Sequence, residues 1–132
     1  IYADAGVEAE VWPFFKNMVA RLEKAHLVVG RSGASTVSET AVVGRPAIFI
    51  PLPTAMHDHQ SLNAQAAALS GGADVIKESE MSVDRMAEVL ELRLSHADKL
   101  AARGEKMKSV AKPDAAQRLA DVVFEAMGAN NA

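Results

Sequence analysis

The chain has 132 residues, 49% hydrophobic and 23% charged, enough to bury one core. Its 14 Lys and Arg against 17 Asp and Glu leave a net charge of −3, and aromatics make up only 5%. That balance argues against a phosphate-backbone binder or a base-stacking platform, so no nucleic-acid partner is expected. The chain has no cysteine, which removes disulfides, thiolate metal sites and cysteine nucleophiles. No apolar run approaches the roughly 20 residues of a membrane span, and Ile1-Tyr2-Ala3-Asp4 lacks the form of a signal peptide. The first residue is not Met, so a processed chain or a piece of a longer one is expected.

In chain order, Glu8–Trp12 reads as a short strand stopped by Pro13. Phe14–Ala25 carries Phe15, Met18, Val19 and Leu22 at helical spacing. His26–Gly30 is a compact apolar run, the mark of a strand buried on both faces. Thr36–Val43 predicts a helix ended by Gly44, and Pro46–Pro51 a second buried strand between two prolines. Asp58–Leu69 reads as a helix stopped by Gly71-Gly72, and Ala73–Ile76 as a further short strand. From Ser82 to about residue 128 the chain is helical, in two or three segments. Pro113 announces the last of them, with Ala116, Leu119, Val122, Val123 and Ala126 on one face. The alternation predicts an α/β fold with a partial doubly wound, Rossmann-like parallel sheet. The strands are fewer than the five or six such sheets usually carry.

The stretch Gly30-Arg31-Ser32-Gly33-Ala34-Ser35-Thr36-Val37-Ser38-Glu39 lies between a buried strand and a helix. In open α/β sheets that is the ligand-binding end. Small residues admit close backbone approach, and the first helical N–H groups and the helix dipole favour an anion such as a phosphate or diphosphate. The stretch is neither a P-loop, a dinucleotide fingerprint nor a nucleophile elbow. Thr36-Val37-Ser38-Glu39 also matches a capping box, in which Glu39 only reaches back to a backbone N–H. Arg31 reads equally as a surface charge. The second stretch is Met56-His57-Asp58-His59-Gln60, after the Pro46–Pro51 strand. Histidines two apart diverge on a helix and no third ligand cluster follows, so no metal is expected. Asp58 reads as the cap of the next helix. The two loops would face one crevice. His26 reads as a boundary residue, His96 and the Lys99, Arg103, Lys106, Lys108, Lys112 run as solvated, and Met81, Met86 and Met107 as core filler.

These residues resemble the MurG family of bacterial glycosyltransferases, which pass GlcNAc from UDP-GlcNAc to undecaprenyl-linked muramyl-pentapeptide (lipid I) to form lipid II. The resemblance rests on Val11-Trp12-Pro13-Phe14-Phe15 through Met18, Ala25–Val29, and the RSGA-x-TVSE stretch. It continues with Gly44-x-Pro46-Ala47, Ile50-Pro51, His59-Gln60-x-x-Asn63-Ala64 and Pro113-Asp114-Ala115-Ala116. It covers nearly the whole chain, and its two central motifs together are specific. It implies the C-terminal, donor-binding half of a GT-B glycosyltransferase that inverts the anomeric carbon, with no cofactor. The backbone at Phe15 would meet the uracil edge and Glu39 the ribose hydroxyls. The loop and helix start, Arg31, Ser32, Gly33, Ala34, Ser35 and Thr36, would hold the diphosphate, with Arg31 offsetting the leaving-group charge. Gln60 would contact the GlcNAc ring. Some members carry two glutamines where this chain has His59-Gln60.

The resemblance further implies a lipid I acceptor held by an N-terminal domain outside these residues. It implies a peripheral site on the cytoplasmic face of the bacterial inner membrane. No catalytic base falls within the chain, so the 132 residues alone are expected to be inactive. An unpaired sheet edge invites a homodimer. Two other readings stand beside this one: the donor-binding subunit of a split glycosyltransferase, and a non-catalytic nucleotide-binding α/β module.

Overall fold

A computed structural model describes residues 1–53 and 58–129. Three strands form a parallel sheet in the order β1 (Val28–Gly30), β2 (Ala47–Phe49), β3 (Ala73–Val75). The register aligns Val29 with Ile48 and Ile48 with Asp74, so these three share one face. Between the strands run α2 (Ala34–Val43) and α3 (His59–Leu69). They cover the opposite face, where Val37, Ala41, Ala64 and Ala67 pack on Ala47, Phe49 and Ala73. The Ile48 face is covered by α4 (Val83–Leu94) through Val89, Met86 and Leu90. Central β2 is therefore buried on both sides, with Ala47, Ile48 and Phe49 at 0% exposure, as its continuous apolar run requires.

Helix α5 (Ala97–Lys108) seals the sheet where the strands begin. A Cβ on Gly104 would stand 2.5 Å from the Gly44 carbonyl oxygen, and one on Gly72 would stand 2.6 Å from Met107 Cα. Backbone here meets backbone, and only glycine allows it. Gly44 also ends α2 in the left-handed region, at φ 72°. With the N-terminal ends of β2 and β3 closed in this way, the carboxyl ends stay open.

Several sequence expectations change. Glu8–Trp12 forms no strand: it is exposed throughout and has no ladder partner, and Glu10 instead pairs with Arg21. The sheet accordingly has three strands among the described residues, not four. The first helix, α1, spans only Met18–Lys24, because the Asn17 side chain caps it by accepting from the Ala20 N–H at 3.3 Å. Strand β1 starts at Val28 and is not buried on both faces: Val29 is 46% exposed, since α4 reaches β2 and β3 but leaves the β1 side of that face open. Helix α2 begins two residues early, at Ala34.

Asp58 occupies the position before α3 but makes no side-chain cap bond; its φ of 55° departs from the extended backbone that a capping side chain needs. His57 lies outside the described residues.

Arg103 is not a solvated charge. It and Arg93 converge on Asp74, Arg93 through two hydrogen bonds of 2.6 and 2.7 Å and Arg103 through one of 2.9 Å. The Asp74 hydrogen bond raises the Arg93 pKa, whereas burial lowers that of Arg103. Met107 is fully buried as core filler, Met86 is partly buried, and Met81 is 46% exposed. The helical tail, expected in two or three segments, has three, ending in α6 (Ala115–Ala129). The α6 face carrying Leu119, Val122 and Val123 is exposed.

Candidate functional site

Around the start of α2 lie polar groups that make no hydrogen bond among the described residues. Helix α2 starts at Gly33 with no side-chain cap, and its first intrahelical bond runs from the Val37 N–H to the Gly33 carbonyl at 3.0 Å. The N–H groups of Ala34, Ser35 and Thr36 therefore have no partner among the described residues. Gly33 itself has φ −60°, and a Cβ there would meet only Thr36 Oγ1 at 4.0 Å. At Gly30 nothing lies within 4 Å. Neither glycine is required by the fold, so both leave open space over the helix start.

With α2 beginning at Ala34, the capping-box alternative for Glu39 falls. Thr36 sits inside the first turn, and Glu39 is exposed with no hydrogen bond or ion pair among the described residues. Glu39 lines a cleft of about 260 Å3 with Met18, Leu22, Gly30, Ser35 and Thr36. Thr40 lines it too, and its buried Oγ1 has no hydrogen-bond partner among the described residues. The sequence had offered no signal for Thr40, which looks like an ordinary helical residue. Phe15 precedes α1, its ring under the Arg21 guanidinium at 3.9 Å. Its own N–H and C=O make no hydrogen bond among the described residues.

The second loop meets the first. Ser32 is fully buried, and its hydroxyl donates to the Gln60 carbonyl at 2.7 Å. Asn63 Nδ2 returns a bond to the Ser32 carbonyl at 3.1 Å. Ser32 thus stands behind the loop, locking it to the start of α3. Gln60 Oε1 accepts from the Leu52 N–H at 3.0 Å, which leaves its Nε2 donors unspent among the described residues. Asn63 was legible only through the HQ-x-x-NA pattern.

Arg31 binds the carbonyls of Ile50 and Pro51, each at 3.3 Å, and pairs with Glu78. One side chain so joins the carboxyl ends of β1 and β2 to the turn after β3. Glu78 borders a larger cleft of about 550 Å3 with Pro51, Asp58, Ser61 and Lys77. Among the described residues no cluster of three or more His, Cys, Asp or Glu is arranged to hold a metal, and no helix is long and apolar enough to cross a membrane.

A parallel α/β sheet with free amides and loop polar groups at its carboxyl ends is a ligand-binding unit of the doubly wound class. Residues 2–119 match the glycosyltransferase family 28 C-terminal domain, and the chain belongs to that family. Two relatives are each called UDP-N-acetylglucosamine--N-acetylmuramyl-(pentapeptide) pyrophosphoryl-undecaprenol N-acetylglucosamine transferase. The one from Phenylobacterium zucineum is 51% identical over 92% of this chain, and the one from Chelativorans sp. is 49% identical over 92%. The chain spans about a third of their length: 33% and 32%. The crystal structure of Acinetobacter baumannii MurG superposes with a TM-score of 0.86 at 33% identity, covering 94% of this chain and 36% of that one. A glycotransferase of kitacinnamycin, 24% identical with a TM-score of 0.60, shares the fold.

Proposed function

We propose that this chain is the UDP-GlcNAc-holding unit of a transferase that passes GlcNAc to lipid I, forming lipid II. The observation that carries the proposal is the set of unspent groups around the start of α2: three N–H donors and one free carboxylate. In this reading the unpaired backbone of Phe15 takes the uracil edge. Glu39 accepts from the ribose hydroxyls, a task that suits an ionised acceptor in a partly apolar cleft. The N–H groups of Ala34, Ser35 and Thr36 hold the diphosphate at the positive end of the helix dipole. Gln60 donates through Nε2 to hydroxyls of the sugar. Gly33 keeps the approach open, and Ser32 holds the two loops in register.

The reaction is attack by an acceptor hydroxyl on the anomeric carbon. The bond from that carbon to the diphosphate breaks, a new C–O bond forms with inversion, and the acceptor proton passes to a base outside these residues. The growing charge on UDP falls on the α2 amides and Arg31, which act where charge develops. The acceptor lipid belongs to a membrane, so the whole protein works peripherally at its cytoplasmic face. The 132 residues form one nucleotide-sugar-binding domain and transfer no sugar alone, since the acceptor must be held and deprotonated elsewhere.

Calorimetric titration tests the donor role. UDP-GlcNAc and UDP are expected to bind, with GDP much weaker. Equal affinity for UDP and GDP would leave only a generic anion site, as in the non-catalytic module.

A further inference from the structure

We propose that Glu78 is a positioning residue that presents Arg31 to the anionic part of the ligand. The inference rests on the nucleotide-sugar reading above and adds a residue to it. A guanidinium has five N–H donors in a rigid fork, and its Nε–Nη2 edge matches two oxygens of a phosphate. Among the described residues every hydrogen bond from Arg31 leaves through Nη1: to the carbonyls of Ile50 and Pro51 and to Glu78 Oε2. Nε and Nη2 have no partner among the described residues. The fold therefore grips one corner of the fork and leaves the bidentate edge unspent, on a side chain that is 47% exposed.

The grip needs Glu78. Two carbonyl bonds of 3.3 Å are long for N–H···O contacts, and a flexible arginine held by them alone would sample several rotamers. The carboxylate supplies the charge-assisted contact that selects one. Glu78 comes from the turn Glu78–Glu80 directly after β3, while Arg31 follows β1, so the pair also spans the strand ends where the ligand lies. Its carboxylate lies on the Nη1 corner, away from the edge offered to the anion.

The test compares UDP with uridine, so that the difference reports the diphosphate alone. In the wild-type chain UDP is expected to bind more tightly than uridine and to move the Arg31 Nε–H resonance, which uridine leaves in place. Glu78→Ala is expected to weaken UDP about tenfold and leave uridine within about twofold. Glu78→Gln, which keeps an acceptor for Nη1, is expected to restore UDP binding to within about threefold of wild type. Arg31→Lys, which has no bidentate edge, should weaken UDP as Glu78→Ala does. Unchanged or tighter UDP binding by Glu78→Ala would overturn the proposal, making Glu78 a mere opposing charge. A parallel loss of uridine would overturn it as well, making the pair a structural tie. Wild-type chain that binds neither UDP nor uridine would overturn the nucleotide-sugar reading itself, and this inference with it.

Discussion

The Ser32 hydroxyl donates to the Gln60 carbonyl at 2.7 Å, joining the loop after β1 to the first turn of α3. The bond is part-buried and the Gln60 carbonyl also belongs to the α3 ladder, so Ser32→Ala removes one hydrogen bond without stranding the carbonyl. It is expected to cost about 0.5–1.5 kcal/mol, read from urea unfolding. The same change frees Gln60 relative to the α2 start. The preference for UDP-GlcNAc over UDP should therefore shrink, while affinity for UDP itself changes less. A variant of full stability with an intact preference would show that the two loops do not depend on this bond.

Glu39 stabilises nothing within the described chain. Glu39→Gln is accordingly expected to change unfolding free energy by less than about 0.5 kcal/mol yet weaken UDP about tenfold. The two effects separate further with 2′,3′-dideoxyuridine diphosphate, which lacks the ribose hydroxyls. Wild type and Glu39→Gln should bind that analogue alike. If both ligands respond equally to the substitution, Glu39 does not read the ribose.

Thr36-x-x-Glu39 explains why this could not be settled from sequence. The same four residues describe a capping box and a helix already one turn old, and only the observed start at Ala34 separates them. The strands were easier, because β2 is an unbroken apolar run between prolines and is buried on both faces. The Asp74–Arg93–Arg103 cluster was hidden for the opposite reason. Its members lie 19 and 29 residues apart, and an arginine bent inward has the same letter as one in water. Glu8–Trp12 failed because an alternating stretch becomes a strand only when a neighbour offers a ladder.

Two glycines make a contrasting pair. Gly33→Ala has room and an ordinary φ, so its stability should stay within about 0.5 kcal/mol of wild type while UDP affinity falls as the added methyl crowds the helix start. Gly104→Ala puts a methyl 2.5 Å from the Gly44 carbonyl oxygen, and is expected to cost about 1–3 kcal/mol. Thermal unfolding and UDP titration of both variants check the pair. A destabilised Gly33→Ala would mean that this glycine serves the fold.

Asp74→Ala should destabilise by about 3 kcal/mol, because two partly buried guanidinium groups lose their shared acceptor. The cluster lies away from the ligand end, so the fraction that remains folded should bind UDP with unchanged affinity. Urea unfolding and UDP titration measure the two halves of this statement. Weakened binding by folded Asp74→Ala would tie the cluster to the site.

The central claim is that a nucleotide sugar sits across the start of α2, between Phe15, Glu39 and Gln60. Its most direct test is amide-resolved NMR of the 15N-labelled chain during titration with UDP-GlcNAc. The account predicts saturable shifts at Phe15, Ala34, Ser35, Thr36, Glu39 and Gln60, with GDP producing far smaller ones. Shifts absent from these residues, or equally large with GDP, would contradict it.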